Sequence, residues 1–298
     1  MGFVDLVARY GSRPPESHAP TGKDNDVVSL SQPARLLGLA RDLNLGATST
    51  AKLFVVYYAG RRQVLRNLLP KMVTLDLPAW GKVPVRSNGY DQGLLMQIFL
   101  RKDYQMEASG VRRILDLGAN IGMAAVFLHR LFPEAEIACV EPSPVNTPAL
   151  RQAIALNKIR GRVFEGVIGV EPGFVDLYLS DRPDCNSVFP TEHSSQVIRV
   201  PQLSVPEIIE QMGWDCIDVL KLDIEGAEKG MFGPRSSWLD QVRYITGESH
   251  INVGYPYAAL RADLEAYGFV LETLIPETEE YGASFRAVNT RRPANAAS

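Results

Sequence analysis

Apolar residues recur at helical spacing in the first third of the chain and form short continuous runs after it. Between residues 33 and 69, leucines such as Leu36, Leu39 and Leu43 lie three or four residues apart, which is typical of an amphipathic helix. We expect a mostly helical N-terminal cap. Its predicted elements are helices at 33–43, 50–69 and 90–100 and a β-hairpin at 71–77 and 82–86 with Gly81 in the turn.

From residue 112 onward, apolar runs alternate with segments of helical spacing. Buried strands separated by helices form a parallel, doubly wound sheet, so this part predicts an α/β fold. The last two strands are joined by a short loop without room for a crossover helix, and we expect them to pair antiparallel. The predicted strands are 113–117, 136–140, 162–167, 219–223, 242–248, 269–275 and 285–288, and the predicted helices are 121–131, 145–156, 206–212 and 257–267.

Composition narrows the class of protein. The chain has 298 residues, 46% hydrophobic and 22% charged, and its net charge of −3 lacks the basic excess of a nucleic-acid-binding protein. No secretory signal pattern is present, and the apolar run 53–59 is too short to cross a bilayer. Three cysteines without metal-ligand spacing fit a reduced, cytoplasmic protein. We expect a flexible lead-in at 1–32, the N-terminal cap at 33–105, the main domain at 106–290 and a disordered tail at 291–298.

The first strand of the predicted sheet ends in a glycine turn, Asp116–Gly122. A dinucleotide site needs G-x-G-x-x-G, so that backbone N–H groups can approach a pyrophosphate. The pattern D-x-G-x-N-x-G instead suits a ligand with a zwitterionic amino-acid end, which the loop and Asp116 would receive. Glu141, after the second strand, would accept both hydroxyls of a ribose, and S-adenosylmethionine fits this description. The predicted cofactor-binding residues are Asp116, Gly118, Ala119, Asn120, Ile121, Gly122, Glu141, Pro142, Ser143, Gly166, Val167 and Asp223, with adenine near 165–167.

Acidic residues follow the fourth and fifth predicted strands, at the edge where ligands of such sheets bind. Asp223, Glu225, Glu248 and His250 are the candidate catalytic residues, because a base must take the proton of a hydroxyl that receives a methyl group. His250 has an unperturbed pKa of about 6.5, suited to that role. For Glu228 the favoured interpretation is stabilisation of the following helix N-terminus. The carboxylates could hold a divalent ion, but the spacing does not demand one, and no metal ligand is predicted.

An extra segment, 174–200, separates the third and fourth strands of the predicted sheet. It contains two short predicted strands, 174–179 and 197–200, around a polar loop. Loops of this length in a domain are often lids or binding loops, and a surface excursion is the alternative. We expect residues 180–195, together with 87–104, to close over the acceptor. The predicted substrate-binding residues are Asn186, Ser187 and Tyr104.

The pairing of Asp116–Gly122 with the run Leu220–Glu228 resembles the FkbM family of methyltransferases. The resemblance extends through 248–250 and the Asn186-Ser187 loop, covering roughly 86–271, and its specific part is D-I-E-G-A-E. It implies a seven-stranded, Rossmann-like class I methyltransferase fold with an antiparallel final strand. It also implies an O-methyltransferase acting on hydroxyls of natural products or sugars. The N-terminal cap before residue 71 matches no pattern of that family.

Three other functions stay open at this point. A dinucleotide-dependent oxidoreductase would need a third glycine in the turn, and Ala124-Ala125 stands at the wrong offset. An enzyme methylating amino groups of nucleic acid would carry a Pro-Pro-aromatic run after the fourth strand, where this chain has Ile-Glu-Gly. A catalytically silent S-adenosylmethionine-binding protein is the third. The expected partner is a small hydroxylated acceptor, with no nucleic acid and no membrane, and self-association through the N-terminal cap is left open.

Overall fold

The computed structural model describes residues 31–61, 68–88, 90–180, 186–190, 194–232, 236–250, 254–278 and 282–292. They belong to two units, one ending at Asp103 and the other beginning at Tyr104. Most of the predicted lead-in and tail, and residues 62–67 of the second predicted helix, lie outside the described residues. Among the residues that are described, no helix combines the length and apolarity needed to cross a membrane.

The described part of the first unit begins with two helices and a hairpin. Gly81 does not lie in the hairpin turn as predicted: it opens the second strand, with Leu77 as its partner, and residues 78–80 make the turn. Its φ of 127° explains why glycine is needed where the chain re-enters the sheet. These elements are α1 Ser31–Asp42, α2 Ala47–Arg61, β1 Met72–Leu77 and β2 Gly81–Arg86.

The predicted helix 90–100 is only half α-helical. It starts as α3, Asp91–Leu95, and continues as a π-helix, Met96–Arg101, which ends at Lys102 in the left-handed conformation. Asn88 fixes the start of α3, because its side chain accepts hydrogen bonds from the N–H groups of residues 90 and 91. Asp91 is buried and is held by the Arg86 guanidinium at 2.7 Å, which ties α3 to β2.

The second unit is built on a seven-stranded sheet. Its strand order is β11-β12-β10-β9-β3-β4-β5, with β12 antiparallel to both of its neighbours and all other pairs parallel. The predicted doubly wound sheet with an antiparallel final strand is confirmed. The bounds are β3 Arg113–Leu117, α4 Met123–Leu131, β4 Glu136–Val140, α5 Thr147–Asn157, β5 Gly161–Phe164, β6 Val167–Gly169, β7 Gly173–Ser180, β8 Ser194–Ser204, α6 Val205–Met212, β9 Ile217–Leu222, α7 Glu228–Met231, a 3₁₀-helix Ser237–Gln241, β10 Val242–Glu248, α8 Tyr257–Ala266, β11 Phe269–Ile275 and β12 Ser284–Asn289.

The connection order reverses between β3 and β9. From β3 the chain proceeds outward through β4 to β5, and from β9 it proceeds the other way to β10. In open α/β sheets, ligands bind beyond the carboxyl ends of the strands at such a switch point. Gly118 follows β3 and Asp223 follows β9, so both lie where the fold is expected to take its ligand.

The predicted strand 162–167 is wrong in one respect, because it is two strands in different sheets. The chain turns at Gly166, where an added Cβ would lie 2.8 Å from the carbonyl oxygen of Pro201 in β8. After this turn, β6 leaves the main sheet and joins a three-stranded sheet of order β6-β8-β7. The two short strands predicted in the extra segment are there, longer than expected, and pair antiparallel as β7 and β8.

Candidate active site

The glycine turn after β3 is shaped by close contact with the end of β9. Gly118 has a φ of +76°, and an added Cβ would lie 1.7 Å from the carbonyl oxygen of Asp223. Only glycine fits there, because any side chain would push the two strand ends apart. Gly122 starts α4 in the left-handed conformation, and an added Cβ would stand 3.0 Å from Ala153 and Leu150 of α5. The turn is thus fixed on both sides by backbone packing.

Glu141, the predicted ribose acceptor, lies buried directly after β4. Its Oε2 accepts a hydrogen bond from the Asn120 N–H at 2.9 Å. Its Oε1 accepts bonds from the Ser143 N–H at 2.9 Å and the Asn146 side-chain amide at 3.0 Å. Burial raises the pKa of the Glu141 carboxyl, and these hydrogen bonds offset part of the rise. Sequence reasoning missed Asn146, whose amide helps to fix the carboxylate.

Asp116 lies beneath the turn, fully buried, where no ligand can reach its carboxylate directly. Lys221 of β9 pairs with it at 3.2 Å, and the Lys221 ammonium also donates to the carbonyl oxygens of Gly118 at 2.7 Å and Leu117 at 3.2 Å. The prediction that Asp116 receives the ligand's ammonium is therefore replaced by a different arrangement, because a lysine of the chain already occupies that position. Burial by itself lowers the pKa of Lys221, but the negative charges of Asp116 and Asp223 outweigh it and raise the pKa.

Lys221 is the main residue that the sequence interpretation overlooked. The signal was available, since Lys221 is the one basic residue in a six-residue strand whose other members, apart from Asp218, are apolar. Lysine is almost never fully buried unless it is paired. A lysine in a central strand therefore predicts a carboxylate partner on a neighbouring strand, and here that partner is Asp116 of β3.

The acids after β9 and the histidine after β10 do converge. His250 Nδ1 lies 2.7 Å from Glu228 Oε1, and His250 Nε2 lies 3.6 Å from Asp223 Oδ1 and 3.7 Å from Glu225 Oε1. Burial alone lowers the pKa of His250, but the three carboxylates outweigh it and raise the pKa well above 6.5. The raised pKa favours the protonated imidazole, which suits a donor better than a base. Glu228 does open α7, but its carboxylate also orients this ring.

Two further side chains bear on Asp223, which is 28% exposed. The Tyr104 hydroxyl donates to Asp223 Oδ2 at 3.1 Å, and the Lys221 ammonium lies 3.6 Å from the same oxygen. These contacts orient the carboxylate so that Oδ1 faces His250. Glu248, the last residue of β10, is half-buried, and its charge helps to raise the pKa of Lys221.

A cleft that is open to solvent runs over these strand ends. Its wall combines the glycine turn, the Glu141 region, β6 and the loop after β9. Ser187 is fixed there because its hydroxyl donates to the Glu225 carbonyl oxygen at 3.0 Å. The predicted residues that line the cleft are Gly118, Asn120, Glu141, Pro142, Gly166, Val167, Asn186, Ser187, Asp223 and Glu225. The predicted residues that do not line it are Asp116, Ala119, Ile121, Gly122, Ser143, Tyr104, Glu248 and His250.

The predicted lid is described only in part. Residues 181–185 and 191–193 of the 180–195 loop lie outside the described residues. Within the rest, Asn186 accepts a hydrogen bond from the Ser180 N–H at 3.0 Å, and Ser187 forms a bridge with Tyr178 of β7. The loop therefore returns to the three-stranded sheet at the point where it borders the cleft, and its movement stays a prediction.

The strand order, the antiparallel β12 and the glycine turn at the switch point define a class I, Rossmann-like methyltransferase fold. The sequence profile described as Methyltransferase FkbM domain matches residues 116–280, more than half of the chain, and the chain belongs to this family. The protein is accordingly a methyltransferase.

Individual proteins of known name share only low sequence identity with the chain. The chain is 25% identical over 266 residues to a protein named 31-O-demethyl-FK506 methyltransferase FkbM of Streptomyces tacrolimicus, covering 74% of this chain and 97% of that one. It is 26% identical over 152 residues to a protein named 2-O-methyltransferase NoeI of Sinorhizobium fredii, covering 45% and 62%. A crystal structure titled Methyltransferase FkbM from Methylobacillus flagellatus is 13% identical with a TM-score of 0.38, covering 86% of this chain and 58% of that one.

Proposed function

We propose that this protein is an S-adenosylmethionine-dependent O-methyltransferase that methylates a hydroxyl of a small natural product or sugar-bearing acceptor. The observation that carries the proposal is the cleft, whose wall includes Glu141 at one end of the glycine turn and Asp223 at the other. Two relatives support oxygen as the accepting atom, because their names specify O-methylation. The acceptor class follows the family resemblance.

The residues present fit the cofactor. Gly118 and Asn120 line the cleft, so the glycine turn borders the space that a ligand's amino-acid end would occupy. Glu141 accepts three hydrogen bonds from the chain, and a carboxylate offers about four acceptor positions. One ribose hydroxyl can therefore complete the set without displacing a donor, rather than both as the sequence predicts. Asn146, which also lines the cleft, is the neighbour suited to the second hydroxyl.

The chain's own task is to orient a hydroxyl and take its proton. S-adenosylmethionine supplies a methyl group already activated on a positively charged sulfur. Asp223 Oδ2 is engaged by Tyr104, which leaves Oδ1 as the oxygen that accepts a proton from a hydroxyl in the cleft. His250 Nε2 faces that oxygen at 3.6 Å, so positive charge at this position stabilises the carboxylate. A positioned base of this kind contributes about 10²–10⁴ in rate.

The test is incubation of the full chain with labelled S-adenosylmethionine and a panel of hydroxylated acceptors, with the methylated atom located by NMR. Asp223→Asn and His250→Ala should lower turnover steeply and leave S-adenosylmethionine affinity within a few-fold. Their effects should combine less than additively, because they act on one proton. Asp215→Asn removes an exposed carboxylate paired with Arg113 and should change nothing. Full activity in both site variants, or a new methyl group on carbon or nitrogen, contradicts the proposal.

A further inference from the structure

Three potential metal ligands meet beside the cleft although they come from different segments. Asp223 and Glu225 follow β9, His250 follows β10, and one ligand atom from each lies within 4.8 Å of the others. His250 Nε2 is 3.6 Å from Asp223 Oδ1 and 3.7 Å from Glu225 Oε1. These separations are too long for hydrogen bonds. Both are shorter than about 4.2 Å, twice a metal–ligand distance of about 2.1 Å, so a cation can contact His250 together with either carboxylate.

The histidine is held in the orientation that a metal ligand needs. Glu228 Oε1 lies 2.7 Å from His250 Nδ1, which turns Nε2 toward the two carboxylates. Metal-ligating histidines almost always donate their other ring N–H to a carboxylate, a backbone carbonyl or a water, and here a carboxylate lies in that place. Glu228 is only 1% exposed, and its Oε2 has no hydrogen-bond partner among the residues that the structure describes. A buried carboxylate oxygen without a hydrogen-bond donor is energetically costly, so it indicates that the cluster lacks a positive charge.

The net charge of the cluster also indicates that a positive charge is missing. Ion pairs connect Lys221 and His250 with four carboxylates. With His250 neutral, as a metal ligand is, these six groups carry three more negative than positive charges. Such an excess in a partly buried cluster is costly unless a cation compensates it, and a divalent cation compensates two of the three charges. The four carboxylates are those of Asp116, Asp223, Glu225 and Glu228.

We propose that Asp223, Glu225 and His250 bind a divalent first-row transition-metal cation at the acceptor end of the cleft. One imidazole with two carboxylates is a donor set for Mn²⁺, Fe²⁺ or Zn²⁺, whereas Mg²⁺ and Ca²⁺ favour oxygen alone. Three protein ligands leave coordination positions open. Because Asp223 and Glu225 line the cleft, those positions are within reach of an acceptor. The cation takes the place of the His250 Nε2 proton beside Asp223, because a metal-binding imidazole is deprotonated. Its role, which rests on the proposed function, is to bind the acceptor's hydroxyl oxygen and orient it.

The experiment is a titration of the metal-stripped full chain with Mn²⁺ alone, without cofactor or acceptor, followed by calorimetry and by the EPR signal of free Mn²⁺. We expect one saturable site per chain. Glu225→Gln and His250→Ala should each weaken it by more than about tenfold, and Glu228→Gln, which touches only the ligand's other nitrogen, by about tenfold. Glu265→Gln, an exposed carboxylate on α8 paired with Arg261, is the matched control and should bind as the wild type does.

Absence of saturable Mn²⁺ binding to the wild-type chain at millimolar concentration overturns the proposal, whatever the variants do. Equal binding by wild type, Glu225→Gln and His250→Ala overturns it as well, because the ion then lies elsewhere. Melting temperatures identify a variant that has failed to fold. In that case Glu225→Asp, which keeps the charge but withdraws the ligand atom, is measured in place of the unfolded variant. The readout is binding, so loss of the metal site and failure of methyl transfer are separate results.

Discussion

At the scale of single residues, Lys221 affects both the stability of the sheet and the shape of the glycine turn. It lies in β9, whose six residues are all buried, and its ammonium connects the Asp116 carboxylate with the carbonyl oxygens of Leu117 and Gly118. One side chain therefore neutralises a buried acid and fixes the start of the glycine turn. Its ammonium also lies 5.5 Å from the centre of the Tyr104 ring, and the Tyr104 hydroxyl in turn orients Asp223.

Lys221→Met should strongly destabilise the second unit, because it leaves Asp116 buried without its partner. Breaking a buried ion pair from one side costs about 3–5 kcal/mol, which urea unfolding can measure. The double variant Lys221→Met with Asp116→Asn removes the stranded charge and should recover much of the loss. Cofactor affinity should not recover in the double variant, because nothing then holds the Gly118 carbonyl. A single variant as stable as the wild type would contradict this account.

At the scale of elements, the limits of sequence interpretation follow from what periodicity measures. β3, β4, β10 and β11 have the predicted bounds, because each is rich in apolar and β-branched residues and is flanked by turn or polar residues. Periodicity does not indicate which strands become neighbours, so the contact between β3 and β9 that pairs Asp116 with Lys221 was not foreseen.

Two other features left no periodic signal. The break at Gly166 depends on the approach of Pro201 from β8, far along the chain. The π-helix Met96–Arg101 keeps a pattern of buried residues that a single α-helix would also satisfy. In the site, the residue types at the strand ends were predictable, whereas Lys221 and Asn146 act through tertiary contacts that only the folded chain creates.

The turn between β3 and α4 offers a test of element geometry. Gly118→Ala would put a Cβ 1.7 Å from the Asp223 carbonyl oxygen, at a φ of +76°. The left-handed conformation alone costs about 1–2 kcal/mol for a residue with a side chain, and the collision adds to it. We expect lower stability and loss of S-adenosylmethionine binding, measured by thermal unfolding and calorimetry.

Gly173→Ala is the matched control for that variant. An added Cβ at Gly173, the first residue of β7, meets no atom within 4 Å. Its stability should stay within about 0.5 kcal/mol of the wild type, as for an ordinary surface substitution. If Gly118→Ala behaved like this control, the close approach of the two strand ends would not matter for the cleft.

At the scale of the whole molecule, cofactor binding should appear as stabilisation against unfolding. A ligand that binds only the folded chain raises the free energy of unfolding by about 2.7 kcal/mol when its concentration is a hundred times its dissociation constant. S-adenosylmethionine and its demethylated product should therefore raise the melting temperature. Glu141→Ala should abolish most of that rise, because each charge-assisted hydrogen bond contributes about 1.5–3 kcal/mol. A larger rise with NAD, or an undiminished rise in Glu141→Ala, would contradict the cofactor assignment.

The order of strands in the main sheet also bears on how the chain reaches this structure. On one side β3 pairs with β4, which follows it closely, but on the other side Ile114 pairs with Val219 of β9. Closing so long a loop is entropically expensive, and folds rich in such distant pairings form slowly. During synthesis from the N-terminus, the hydrogen-bonding edge of β3 that faces β9 stays unpaired until β9 leaves the ribosome. In that interval the edge can pair with other chains, so this is the stage at which aggregation competes most with folding.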